Sequence, residues 1–301
     1  MRKFLALSRS THGILDIAMP GFAALLWLGA FPPLAVLGVA LLTAVAGYTA
    51  IYALNDLVGV KTDREKFAGS GINPGYSVEA SALRYPIAQG KLGFAAAALW
   101  FVLWYLVALA GAWWLNPWLV PIVLVAPVLE TIYCKLLKVG WWRVFVSGIV
   151  KALGPIAAVL VVVPRPDPGL LALMLAWLMC WEIGGQNIPA DWNDVEEDRR
   201  VGAQTIPLVF GPRTAGAAVL LALLATTALS LALPMMSPLP LGWPYLAATL
   251  AAAVYLLLLP GLHLARTHEP RAAARLFDRA SLYPLAQLCI ITLFVLAKAW
   301  G

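Results

Sequence analysis

Residues 169–200 read GLLALMLAWLMCWEIGGQNIPADWNDVEEDRR, and their two halves differ sharply in character. Residues 169–188 carry one charge, Glu182. An apolar run of that length matches one helical crossing of a bilayer, which needs about 20 residues. The second half packs five carboxylates into eight positions, Asp191, Asp194, Glu196, Glu197 and Asp198, followed by Arg199 and Arg200. The stretch reads as a membrane helix that empties into an acidic segment at one membrane surface. The whole chain agrees. Its 301 residues are 62% hydrophobic and 12% charged, against roughly 25% charge in a soluble chain, and the mean hydropathy is +0.83. A soluble fold could not cover so much apolar surface. A transmembrane barrel would show alternating segments of about ten residues, and the sequence shows long apolar runs instead.

Nine spans are read, at residues 12–31, 35–55, 92–114, 118–137, 144–163, 169–188, 213–233, 244–263 and 282–299. The fold class is all-α, a polytopic membrane bundle of nine transmembrane helices in a single domain over residues 1–301, with its acidic loops on the cytosolic face. Short Pro- and Asn-containing turns separate spans one and two, three and four, five and six, and seven and eight. The other connectors hold nearly all the Lys and Arg, and only Arg165 and Lys298 clearly lie opposite. By the positive-inside rule the N-terminus and the long loops are cytoplasmic and the C-terminus is on the other side. Residues 1–10 read as a basic lead, not a cleaved signal. A net charge of +6, dispersed over the loops, excludes nucleic acid as a partner. Cys134, Cys180 and Cys289 lack metal-site spacing and read as small buried hydrophobes.

A second acidic group, Asp56, Asp63 and Glu65, follows the second span. If the sixth helix continues past Pro189, Asp191, Asp194 and Asp198 sit at i, i+3 and i+7 and share a face, as do Asp56 and Asp63 at i and i+7. Clustered carboxylates repel one another where water is scarce. A divalent cation removes that repulsion, and oxygen ligands suit Mg²⁺, which pairs one or two carboxylates with substrate phosphates. The alternative for either cluster alone is a solvated loop. Two clusters at equivalent helix ends on one membrane face favour a shared site.

The segment Asn55-Asp56-Leu57-Val58-Gly59-Val60-Lys61-Thr62-Asp63 resembles the NDxxDxxxD motif of the UbiA superfamily of intramembrane prenyltransferases. Asp191 through Asp198 resembles that superfamily's DxxDxxxD motif, and Gly202-Ala203-Gln204-Thr205-Ile206-Pro207 resembles the segment that follows it. Arg84-Tyr85-Pro86-Ile87-Ala88-Gln89-Gly90 is similar to a third segment with one residue added, Tyr85. The departures are that insertion and Gly59, which stands where the family has its central aspartate.

The resemblance implies Mg²⁺-dependent transfer of a polyprenyl group from a prenyl diphosphate to a small lipophilic or aromatic acceptor, as in quinone-type lipid biosynthesis. Asp56, Asp63, Asp191, Asp194 and Asp198 are the implied catalytic carboxylates, and with Asn55 the implied metal ligands. Asn55, Lys61, Arg64, Lys135, Lys138, Arg143 and Lys151 are the candidates to contact the leaving diphosphate, with Tyr133 as a hydrogen-bond donor. The donor's tail would lie among helices or in membrane lipid. Glu130 and Glu182 lie inside spans, where a carboxylate is a functional candidate by default. Glu182 either lines the acceptor side of the cavity or makes a helix–helix hydrogen bond. His12 reads as interfacial or acceptor-facing. Residues 264–281 read as a surface amphipathic helix against solvent or headgroups, and the loop 64–91 as a flexible, glycine-containing cover with a short helix. Three alternatives stay open: a non-aromatic or tetrapyrrole acceptor, cyclisation of the donor, and a secondary transporter. The last is disfavoured because no broken-helix pair recurs in two halves of the sequence.

Overall fold

The computed structural model describes residues 1–68 and 83–300, so the central part, 69–82, of the cover read over residues 64–91 lies outside the described residues. Among the described residues there is no strand. Among the described residues, nine helices are long and apolar enough to cross a membrane. They are α1 (Ser10–Leu28), α2 (Leu34–Phe67), α3 (Phe94–Leu115), α4 (Pro117–Lys138), α5 (Arg143–Val162), α6 (Pro168–Asn193), α7 (Ile206–Met236), α8 (Trp243–Thr267) and α9 (Pro270–Ala299). Local signals set their starts. Asn116 opens α4 by accepting from Trp118 N at 3.0 Å while its amide donates to Leu160 O of α5 at 2.9 Å. Asp167 caps α6 through Leu170 N at 2.9 Å. Both satisfy helix-end groups that would otherwise be orphaned.

The helices close a ring. Helix α1 packs on α5 and α9, α2 on α3 and α4, and α5 on α4 and α6, and α6 through α9 follow in order. The densest core lies in the C-terminal half, where Trp177, Trp181, Tyr245 and Tyr283 are almost wholly buried. Two of these aromatic side chains share one partner: Trp177 Nε1 donates to Ser230 Oγ at 2.7 Å, and Ser230 Oγ lies 2.7 Å from the Tyr283 hydroxyl. Helix α3 instead exposes Leu99, Val102, Leu103 and Leu106, an apolar outer surface suited to lipid. Between helices, small residues permit close approach. A Cβ on Gly111 of α3 would lie 2.0 Å from Thr43 Oγ1 of α2, and one on Gly184 of α6 would lie 2.8 Å from Ala222 Cβ of α7.

Three features depart from the sequence reading. Helix α2 does not stop at residue 55 but runs for 34 residues to Phe67, about 50 Å at 1.5 Å per residue. That exceeds the roughly 30 Å hydrocarbon core, so its acidic end projects as ordered helix. Helix α7 starts at Ile206, not near 213, and passes a break at Gly211 (φ 78°) before Pro212. Hydropathy marks where a helix leaves lipid, not where it ends. The amphipathic segment Pro270–Ser281 is not merely superficial. Its Ala272, Ala273, Leu276 and Phe277 are buried, and Gln186 of α6 donates to Phe277 O at 3.2 Å.

The close α2–α3 approach gives a test. Gly111→Val forces a side chain onto Thr43, an overpacking that destabilises by about 1–3 kcal/mol. Gly93→Ala, where an added Cβ meets nothing within 4 Å, leaves thermal unfolding in detergent unchanged.

Candidate active site

A cavity of about 630 Å³ runs the depth of the bundle. At one end it is lined by Asp63, Asp191, Asp194 and Asp198, and at the other by Pro32, Leu115 and Val162. The two acidic segments therefore do meet at one mouth, carried by helices distant in sequence.

On α6 this placement depends on a change of helical pitch. Residues Glu182–Asn187 form a π-helical turn before Ile188–Asn193 resumes as α-helix. The wide turn is held from outside, since Trp181 Nε1 donates to Ala280 O at 3.0 Å and Ser281 Oγ to Gln186 Oε1 at 3.2 Å. Such turns concentrate at functional sites because they re-aim the side chains that follow. The expected continuous i, i+3, i+7 face is broken at Asp194 (φ −95°, ψ 15°), after which Val195–Arg200 forms a separate short helix. All three aspartates still line the cavity.

Each of the three aspartates of the second acidic segment has its own cation. Arg143 Nη2 lies 3.3 Å from Asp191 Oδ1, Arg84 Nη2 lies 3.0 Å from Asp194 Oδ2, and Lys66 Nζ lies 2.6 Å from Asp198 Oδ1. The Lys66–Asp198 pair ties α2 directly to the second acidic segment, and Arg200 reinforces it by donating to Lys66 O at 3.0 Å. Arg143 also donates to the Tyr133 hydroxyl at 2.5 Å, and Asn187 Nδ2 donates to the same oxygen at 3.0 Å. Among the described residues, no group of three His, Cys, Asp or Glu side chains is placed to hold a metal unaided. Yet Asp191 Oδ2, Asn187 Oδ1 and Asn193 Oδ1 are buried with no hydrogen-bond partner. Vacant oxygen acceptors beside aspartates that line a cavity fit a hard cation such as Mg²⁺.

The remaining sequence candidates fall into three groups. Lys61, Lys135, Lys138 and Tyr133 line the mouth, and Lys151 and Glu182 line the cavity below it. Asn55 also reaches the lining, but its amide donates to Glu130 Oε1 at 2.6 Å and its oxygen accepts from Arg9 at 3.1 Å. Asp56 and Arg64 are not among the lining residues. Asp56 is buried 3.7 Å from Arg9 Nη2, and Arg64 is exposed. Gly59 has a structural counterpart: a Cβ there would meet Asp63 Oδ2 at 2.9 Å. The Asp63 carboxylate thus occupies the space that the side chain of a central aspartate would enter.

Sequence reasoning missed Lys66, Arg9, Asn187 and Asp16. Lys66 was detectable, being three residues beyond Asp63 on the same helix face. Tyr85, the inserted residue, has φ 56° before Pro86, which is an outlier for a bulky side chain. Its ring lies 4.8 Å from the Arg84 guanidinium carbon and 5.7 Å from that of Arg9. Burial, partly offset by Arg84 and Arg9, pushes its phenol up to about 12, so it remains a hydrogen-bond donor at neutral pH.

A family model described as the UbiA prenyltransferase family matches residues 17–285. A digeranylgeranylglyceryl phosphate synthase of Methanopyrus kandleri is 29% identical over 219 residues, covering 69% of this chain and 76% of that protein. A UbiA homologue of Aeropyrum pernix superposes with a TM-score of 0.72 at 18% identity, over 96% of this chain and 98% of that one. A UbiA homologue of Archaeoglobus fulgidus bound to DMAPP and Mg²⁺ superposes with a TM-score of 0.66 at 17% identity, over 96% and 99%.

Lys66→Met leaves Asp198 buried without its cation. Breaking a buried pair from one side costs about 3–5 kcal/mol, so the variant should unfold at clearly lower temperature. Lys66→Met/Asp198→Leu should recover most of that loss, as a double-mutant cycle by thermal denaturation would report.

Proposed function

This chain belongs to the UbiA prenyltransferase family, and we propose that it moves a polyprenyl group from a prenyl diphosphate to an aromatic acceptor of the quinone-lipid type. The observation that carries this reading is the convergence of Asp63 from α2 with Asp191, Asp194 and Asp198 at the mouth of one deep apolar cavity. An apolar shaft below a charged mouth suits a molecule with a long hydrocarbon tail and a diphosphate head. The basic loops support an orientation with that mouth and the N-terminus at the cytosol and the C-terminus opposite.

The residues divide the work. Asp63, Asp191, Asp194 and Asp198 would hold Mg²⁺, which the likeness to a homologue bound to DMAPP and Mg²⁺ supports. When bound, the metal neutralises charge on the diphosphate as the C–O bond breaks. Arg143, Lys66 and Arg84 are balanced by aspartates in the free site and turn to diphosphate oxygens once those aspartates are engaged. Lys61, Lys135 and Lys138 add positive potential at the rim. Tyr133, fixed by Arg143 and Asn187, stands beside them as a neutral donor. Asn55 and Asp56 position Arg9. The allylic cation left behind is attacked by the acceptor, which then loses a proton, while the dry shaft keeps water from trapping the cation. The name of the Methanopyrus relative favours a second reading, an acceptor of the glyceryl phosphate type.

Purified protein given prenyl diphosphates of several lengths, Mg²⁺ and a panel of acceptors should release diphosphate in step with prenylated product. Chelation with EDTA should abolish release, and Asp191→Asn should lower kcat/KM by about 10²–10³-fold, the scale for removing one positioned electrostatic group. Gly59→Asp restores the family pattern but crowds Asp63, and should raise the donor KM. Failure of every donor–acceptor combination contradicts the proposal.

A further inference from the structure

Outside the cavity, the hairpin of α8 and α9 concentrates positive charge. Residues 255–282 hold four arginines, Arg266, Arg271, Arg275 and Arg279, against two acids, Glu269 and Asp278. The turn of this hairpin lies level with the mouth, because His268 stacks on Trp192, the neighbour of Asp191, with ring centroids 6.2 Å apart. Arg271, Arg275 and Arg279 stand at i, i+4 and i+8 on α9, a spacing that shares one helix face, and all three are exposed. Tyr255, Leu259 and His263 stand at the same spacing on α8 and are exposed as well. The two rows meet along the seam between the helices. Arg275 Nη2 lies 3.3 Å from His263 Nε2, and the Arg279 guanidinium carbon lies 4.6 Å from the centre of the Tyr255 ring. None of these residues belongs to the cavity lining.

Arg279 is the deepest of the row. It stands nine residues into α9, yet its guanidinium rests on Tyr255, twelve residues before the end of α8. Its Nη1 donates to Tyr255 O at 3.4 Å, inside the π-helical turn Val254–Leu258. On the span read at residues 244–263, Tyr255 lies eight residues inside the apolar stretch, about 12 Å by helix rise. A long cation near a membrane surface reaches back towards water, and Arg279 reaches the other way. A lipid-facing arginine at that depth is costly and marks function by default. Its guanidinium has five N–H donors, and a single 3.4 Å bond leaves most of that capacity for a ligand.

The surroundings define the ligand. Side chains four apart on a helix have Cβ atoms about 5–6 Å apart, so Arg275 and Arg279 can share the two free oxygens of one phosphodiester, an acceptor that suits the guanidinium fork. Apolar surface continues beyond them. Tyr255 is 58% exposed, and Leu259, Leu282 and Leu285 are exposed beside it. A free anion would leave that surface unused. A zwitterionic headgroup would bring its own cation against the arginines.

We propose that the outer seam of α8 and α9 binds one anionic phospholipid of the mouth-side leaflet, its phosphodiester held between Arg275 and Arg279 and its acyl chains lying along Tyr255, Leu282 and Leu285. The site does not depend on the prenyl-transfer reading. The inner face of the same segment braces the π-turn of α6 through Ala280 and Ser281, so a lipid seated outside stiffens that brace.

The probes are dioleoyl phosphatidylglycerol and dioleoyl phosphatidylcholine, matched in their chains, added to the full-length protein in a neutral detergent. Native mass spectrometry should show one phosphatidylglycerol retained at least fivefold more strongly than phosphatidylcholine, about the worth of one arginine at an anionic surface. Thermal unfolding should rise with phosphatidylglycerol and not with phosphatidylcholine. Arg275→Gln/Arg279→Gln should erase the preference, and Arg165→Gln, at the opposite end of the bundle, should keep it. Where the double variant does not fold, a density map of the unaltered protein in phosphatidylglycerol nanodiscs decides, with headgroup density expected between Arg275 and Arg279. Equal retention of the two lipids, a preference that survives the double substitution, or headgroup density elsewhere would overturn the site. So would displacement of the lipid by an equal concentration of inorganic phosphate, which marks an ion site, or a dimer lost in the double variant with no lipid retained by the unaltered protein, which marks a contact between copies.

Discussion

Carboxylates gathered at the edge of a low-dielectric bundle must be compensated, and every other feature of this molecule follows from how that is done. Asp191, Asp194 and Asp198 are each matched by one cation, and the three cations come from three different parts of the chain: α5, the segment after α2, and α2 itself. The neutralising contacts are therefore also the tertiary contacts that close the mouth. Pairs of this kind add little net stability, because desolvation offsets most of the attraction. Their value here lies in holding charges that can be re-partnered when a polyanion arrives.

The shaft beneath supplies the complementary condition. Small residues bring helices close, the aromatic core of α6–α9 makes one wall rigid, and the π-turn at Glu182–Asn187 directs the last turn of α6 inward. The amphipathic segment Pro270–Ser281 holds that turn in place through Ala280 and Ser281. Phe277 of the same segment stacks on His12, with ring centroids 5.2 Å apart, so the cavity lining at His12 and the outer brace of α6 are mechanically joined.

The number of spans and the meeting of the two acidic segments were legible because long apolar runs and clustered carboxylates are local signals. Asp63 and Asp191 needed only their spacing and surroundings to be noticed. The pairing of Lys66 with Asp198 was not legible, since it joins residues 132 positions apart and depends on α2 continuing past its hydropathy boundary. Asp16 was overlooked because its partner Lys151 is 135 residues away, and a lone acid near the start of a span resembles an interfacial residue. Gly59 could be read only as a departure from the family motif until Asp63 was placed against it.

The most direct measurement is a density map of the protein with a non-hydrolysable prenyl diphosphate and Mn²⁺ in place of Mg²⁺, whose anomalous signal locates the metal. The account predicts metal density between Asp63 and the aspartates of α6, diphosphate oxygens within reach of Arg143 and Lys66, and the hydrocarbon tail running down the shaft. Diphosphate bound elsewhere, with the Arg143–Asp191 and Lys66–Asp198 pairs intact and no metal at the mouth, would contradict it.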